Sequence, residues 1–202
     1  VPLWRIDNRP IYEYQAYATP PVITAFAPGY AQATAKITPR LALRADFWVI
    51  DSHTVGARLT VKNSGAALDL GFDLIGFAAA QGKELKLSAF PLPGSGHALT
   101  FGKLGSINPV VVLEGGRSSS PNTLSASFNV PASGQIVVRW VHAALPSITD
   151  SLAQAQNWLK QNWNAPLRRI SKAAQDIPDI ETGDEAADAA IAFAYQQAVQ
   201  SF

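Results

Sequence analysis

Between Val22 and Pro146 the chain changes character every second residue, and no helical period of 3.6 residues interrupts it. In "ARLTVKN", Leu59 and Val61 fall on one face while Arg58, Thr60 and Lys62 fall on the other. "TLSASFNV" alternates in the same way through Leu124, Ala126, Phe128 and Val130. Strands patterned like this are half buried, with one face on a core and the other toward water. Further β-prone runs, among them "PPVITAF", "LALRADFWVI", "LDLGFDLIGF", "NPVVVLEGG" and "GQIVVRWVH", are separated by "NSG", "PLPGSG" and "PASG", which supply turns. Short strands with regular breakers predict a mainly β chain whose residues 1–146 form an antiparallel β-sandwich. The opening "LWRIDNRPIYEYQAYATPP" predicts an edge strand or an arm lying across a sheet.

The pattern switches at "LPSITDSLAQAQNWLKQNW". Pro146 closes the last strand, Ser147 or Thr149 can cap a helix, and Leu152, Ala155, Leu159 and Trp163 recur on one face with Trp158 beside it. Asn164 offers a second cap with Pro166 in the first turn, and residues 147–176 therefore read as linker helices. Residues 177–202 read as an acidic loop and a final helix, with Thr182 and Glu185 at capping-box spacing. In that helix Ala186, Ala187, Ala189, Ala190, Ala192 and Ala194 surround Ile191, Phe193 and Tyr195, which predicts close packing against several other helices. The chain offers two other helical segments, too few to surround it. It also opens on Val1 rather than Met, so a truncated or processed piece of a larger molecule is expected.

Charge and composition exclude several functions. Lys and Arg outnumber Asp and Glu by 12 to 8 in residues 1–146 (+4), and are outnumbered 4 to 7 in residues 147–202 (−3). Neither part holds a run of basic residues, so no nucleic-acid partner is expected. No apolar run approaches the roughly 18 residues of a membrane span, so a soluble chain with no membrane partner is expected. The absence of Cys removes disulfides and thiolate metal sites and leaves the compartment open, an extracytoplasmic one included.

Candidate chemistry is sparse. His53, His97 and His142 show no metal-ligand spacing, and neither a metal nor a cofactor is expected. "LEGGRSSS" lacks the ending of a phosphate loop and reads as a turn after a strand, with "RSSSPN" as an exposed loop. Asp179, Glu181 and Asp184 form the densest carboxylate cluster and are the candidate substrate-binding residues, since paired carboxylates serve glycosidic chemistry. Acids at a helix start are equally accounted for by capping and the helix dipole. Trp48, Trp140, Trp158 and Trp163 could stack on sugars or fill cores; Trp48 and Trp140 are expected buried, and Trp158 and Trp163 are expected to form a helix seam.

The order of parts resembles the amino-terminal region of six-hairpin glycoside hydrolases of the glucoamylase type, whose catalytic domain is an (α/α)6 barrel. "FWVIDSHTVGARLTVKNSG" looks like a strand pair of their sandwich, "SLAQAQNWLKQNWNAPLRRI" is similar to their linker, and "DIETGDEAADAAIAFAYQQA" to their first barrel helix. The resemblance implies catalytic carboxylates on later barrel loops, so no catalytic residue is assigned here. It further implies that the final helix begins an all-α barrel, whose remainder, as a second chain or missing polypeptide, is the expected partner, with carbohydrate as a possible ligand. The alternative is a free-standing carbohydrate-binding or adhesion sandwich with a helical tail.

Overall fold

The computed structural model describes residues 2–7, 9–11, 13–27, 29–80, 83–93, 96–175 and 180–200. Its strands are β1 (Pro2–Ile6), β2 (Arg9–Ile11), β3 (Thr19–Ala27), β4 (Tyr30–Thr38), β5 (Leu41–Asp51), β6 (Thr54–Asn63), β7 (Leu68–Ile75), β8 (Ala79–Ala80), β9 (Lys83–Glu84), β10 (Ser88–Pro91), β11 (His97–Thr100), β12 (Asn108–Leu113), β13 (Arg117–Ser120), β14 (Thr123–Val130) and β15 (Gln135–Leu145). Helices α1 (Ile148–Lys160), α2 (Asn164–Gln175) and α3 (Glu185–Gln200) follow.

A five-stranded sheet, β13-β14-β7-β1-β2, faces an eight-stranded one, β10-β11-β12-β15-β6-β5-β4-β3, and the neighbouring strands are antiparallel. The expected mainly β chain, an antiparallel sandwich followed by a helical segment, is therefore the fold. Its core lies between the sheets. Trp4, Leu70, Phe72 and Leu124 come from the smaller sheet, and Ile37, Leu59, Val61 and Val138 from the larger. Trp4 and Phe72 sit with ring centroids 4.8 Å apart. Burying each such side chain stabilises the fold by about 1.5–3 kcal/mol.

The amino-terminal segment meets expectation in part, since β2 is an edge strand of the smaller sheet. β1 is no edge strand; it lies between β7 and β2, because Trp4 and Leu3 need the interior and their register against Phe72 and Asp73 supplies it. "RSSS" is likewise a strand, β13, at the edge of the smaller sheet, where hydroxylated side chains can face water while the backbone pairs with β14. The predicted breakers "NSG" and "PASG" do turn the chain, while part of "PLPGSG" lies outside the described residues. Asn63 also ties two of them together, donating to the carbonyls of Ala66 and Pro131 at 2.7 and 3.1 Å.

A third layer covers one half of the larger sheet's outer face. There Val110, Val112, Val141 and Ala143 meet Ala155 of α1, Trp163 and Leu167. Ser147 caps α1 by accepting from Asp150 N at 3.0 Å. Ser151, fully buried, accepts from Leu145 N at 2.8 Å and donates to the Asn108 carbonyl at 2.7 Å, fixing the helix to β15 and β12. The helix stops at Lys160, so Trp163 does not continue its apolar stripe as the spacing predicts. It folds back from the α1–α2 turn and donates its indole N–H to the Trp158 carbonyl at 2.7 Å.

Candidate functional site

Alternation sends Gln32 of β4, Arg44, Asp46 and Trp48 of β5, Gly56, Arg58, Thr60 and Lys62 of β6, and Val137 and Arg139 of β15 to the outer face of the larger sheet. The register sets Gln32 beside Asp46, Asp46 beside Arg58, and Arg58 beside Arg139, one polar row crossing four strands. On one side of this row lies the apolar half under α1, where Tyr30 is paired with Trp48, Trp48 with Gly56 and Gly56 with Val141. On the other side Lys36, Arg44, Lys62 and Val137 are exposed to solvent.

Asp46 is the centre of the row and is fully buried. One carboxylate oxygen accepts from Tyr30 Oη at 2.9 Å, Gln32 Nε2 at 3.3 Å, and Arg44 Nε and Nη2 at 3.2 and 3.0 Å. The other accepts from Arg58 Nε and Nη2 at 3.2 and 3.0 Å. Burial alone would raise its pKa, but hydrogen bonds from Arg44, Tyr30 and Arg58 together outweigh that and hold the carboxyl below its ordinary value. The same burial pushes the Tyr30 phenol up. Asp46 is thus a charged anchor that aims two guanidinium groups, with no lone pair left over for general-base work.

The row continues into the α1–α2 turn. Arg139 grips Glu114 through two bonds of 2.9 and 2.6 Å and donates to the Gln161 carbonyl at 3.1 Å, just past the carboxyl end of α1 where a cation is favoured. Its guanidinium lies 5.7 Å from the Trp163 ring centre. Arg58 reaches Asn164 at 2.7 Å. Trp163 packs on Trp48 with centroids 5.5 Å apart, and the buried Trp48 Nε1 has no acceptor among the described residues.

These residues border a groove of about 740 Å³ lined by Arg44, Arg58, Lys62, Arg139 and Lys160 among others, against which stand only Glu114 in the lining and the buried Asp46 beneath. A second groove of about 610 Å³, with Lys36 and Arg40, shares Lys62 and Gln135 with the first.

The residues singled out from sequence lie elsewhere. Glu181 and Asp184 are exposed at the start of α3, and Asp179 lies outside the described residues. Asp184 caps the helix, accepting from Ala186 N and Ala187 N at 2.9 and 3.2 Å. The cap is therefore Asp184, not the expected Thr182, whose hydroxyl donates to Asp188 at 2.5 Å instead. Trp48 is buried as expected and Trp140 half-buried. The basic groove is not legible in the sequence, although alternation sets Arg58, Thr60 and Lys62 on one face. Its cations are drawn from residues 36 to 160, one or two per element, so no run betrays them.

No family model matches the chain, and no curated protein matches it either. Among solved structures, a putative kojibiose phosphorylase from the human microbiome superposes with a TM-score of 0.57 at 7% identity, over 97% of this chain and 30% of that one. This chain thus spans less than a third of that structure's length. Heparan sulfate lyase HepC from Pedobacter heparinus superposes with a TM-score of 0.42 at 8% identity, over 71% of this chain and 24% of the lyase. At 7% identity the likeness to the phosphorylase is one of fold.

Proposed function

We propose that the chain is the non-catalytic amino-terminal region of a carbohydrate-active glycoside hydrolase or phosphorylase, packing on a helical catalytic barrel and helping to shape its sugar cleft. The observation that carries this reading is the extent of the fold likeness to the phosphorylase: at 97% of the chain it includes the helices after the sandwich as well as the sandwich itself. A free-standing binding module needs no such helical segment. The exposed Phe193 and Tyr195 of α3 support a helical partner there, supplied by a second chain or by further polypeptide. In this reading Glu181 and Asp184 face substrate from the rim of the barrel and take no part in bond cleavage.

The purified chain should turn over neither aryl glycosides nor disaccharides, with or without phosphate, because the acid and base belong to the barrel. Turnover abolished by Glu181→Gln or Asp184→Asn would overturn the assignment. A gene sequence continuing in frame beyond Phe202 with repeated helical hairpins would support it.

A further inference from the structure

We propose that the open basic groove of the larger sheet binds an acidic oligosaccharide through its carboxylate or sulfate groups. The saccharide part of this inference rests on the carbohydrate reading above, whereas the charge preference rests on the groove alone. Lys62 and Lys160 in this groove, and Lys36 in the adjoining one, are exposed and make no ion pair or hydrogen bond among the described residues. Arg44 donates Nε and Nη2 to one Asp46 oxygen, which leaves Nη1 outside that clamp. Both nearby acids are already engaged, Asp46 by two arginines and Glu114 by a bidentate clamp, so the field left over is positive.

The cations of β5, β6 and β15 spring from a rigid grid, with rows about 7 Å apart along the strands and neighbouring strands about 5 Å apart, and Lys160 springs from the end of α1. Their backbone positions are therefore fixed before any ligand arrives, so only the long side chains have to be ordered on binding. Thr60, Gln135 and Asn162 lie between them and offer hydroxyl and amide partners suited to sugar hydroxyls. Other polyanions fit less well. The aromatic residue of the groove, Trp163, is 2% exposed and offers no platform for nucleic-acid bases. A protein partner would need an apolar centre, and Val137 is too little to supply one.

The test is a titration of the intact chain with an oligouronate, a sulfated oligosaccharide, a neutral glucan of equal length and a single-stranded DNA of equal charge, each at low and high salt. We expect one or both acidic saccharides to bind in a salt-sensitive manner and more tightly than the glucan or the DNA, the two acidic arms separating carboxylate from sulfate recognition. The double change Lys62→Glu with Lys160→Glu should weaken that binding at least about tenfold. If that variant fails to fold, Lys62→Gln with Lys160→Gln should still weaken it about threefold or more. Acidic saccharides bound no better than the glucan, DNA bound as tightly, or folded variants that bind like the parent would each overturn the inference. Glucan binding without acid preference would leave the carbohydrate reading standing, and turnover by the chain alone would sink the non-catalytic reading without touching the binding result.

Discussion

Gly56 lies directly against Trp163: a β-carbon at position 56 would come within 2.9 Å of the Trp163 ring and 2.8 Å of Trp48 Nε1. The helical layer can approach the sheet only because this strand residue has no side chain. Gly56→Ala should therefore cost about 1–3 kcal/mol by overpacking. The loss would be read as a lower thermal midpoint together with altered tryptophan fluorescence, since two of the rings involved must move. Unchanged stability would mean that the seam between helix and sheet is looser than its geometry states.

Asp46→Asn removes the buried anion from the half-buried Arg58 and the solvent-exposed Arg44, and should destabilise the fold by about 1–3 kcal/mol in urea melts. The parent protein should also show the carboxylate's contribution in its acid limb. The folded pKa lies below 3.8, so the contribution is complete above about pH 3.8 and is lost as pH falls through the folded value. The variant should lack that part of the acid sensitivity.

His142 titrates the other way. Burial holds its pKa below 6.5 and its Nε2 has no partner among the described residues, while the ring lies 5.6 Å from that of Phe101. Below about pH 6.5 the unfolded chain takes up a proton that the folded one resists, so stability falls with pH until the lowered folded value is passed. His142→Phe should flatten this slope in melts between neutral and mildly acidic pH. A slope that survives the change would assign the effect to another group.

Period-two alternation made both faces of β6 and β14 legible in the sequence, because each strand has one wet side. β1 was harder: its neighbours in space, β2 and β7, do not both adjoin it in sequence, and only the demand of Trp4 for a core argues against an edge. The polar row from Gln32 to Arg139 was not legible at all, since it runs at right angles to the chain and depends on the register of three strand pairs. Spacing puts Trp163 on a helical stripe because it cannot tell a residue on a fourth turn from one that folds back beyond a cap.

On α3, Phe193 is 51% and Tyr195 41% exposed. The isolated chain should bind a hydrophobic dye or self-associate, and Phe193→Ser with Tyr195→Ser should reduce both effects at unchanged secondary structure. Scattering that reports a monomer with no dye response would place the helix in the class of ordinary solvated ones.

The Ser151 hydroxyl, which bridges the backbone of Leu145 to that of Asn108, has a consequence for how the molecule opens. A helix held to a sheet by side-chain packing alone can peel away while the strands beneath stay paired. Here the first turn of α1 shares hydrogen bonds with the ends of β12 and β15, so the helix cannot leave without freeing two half-buried backbone groups. The amide protons of α1 and those of the β12–β15 ladder should then exchange with deuterium in one cooperative step, and Ser151→Ala should split that step in two.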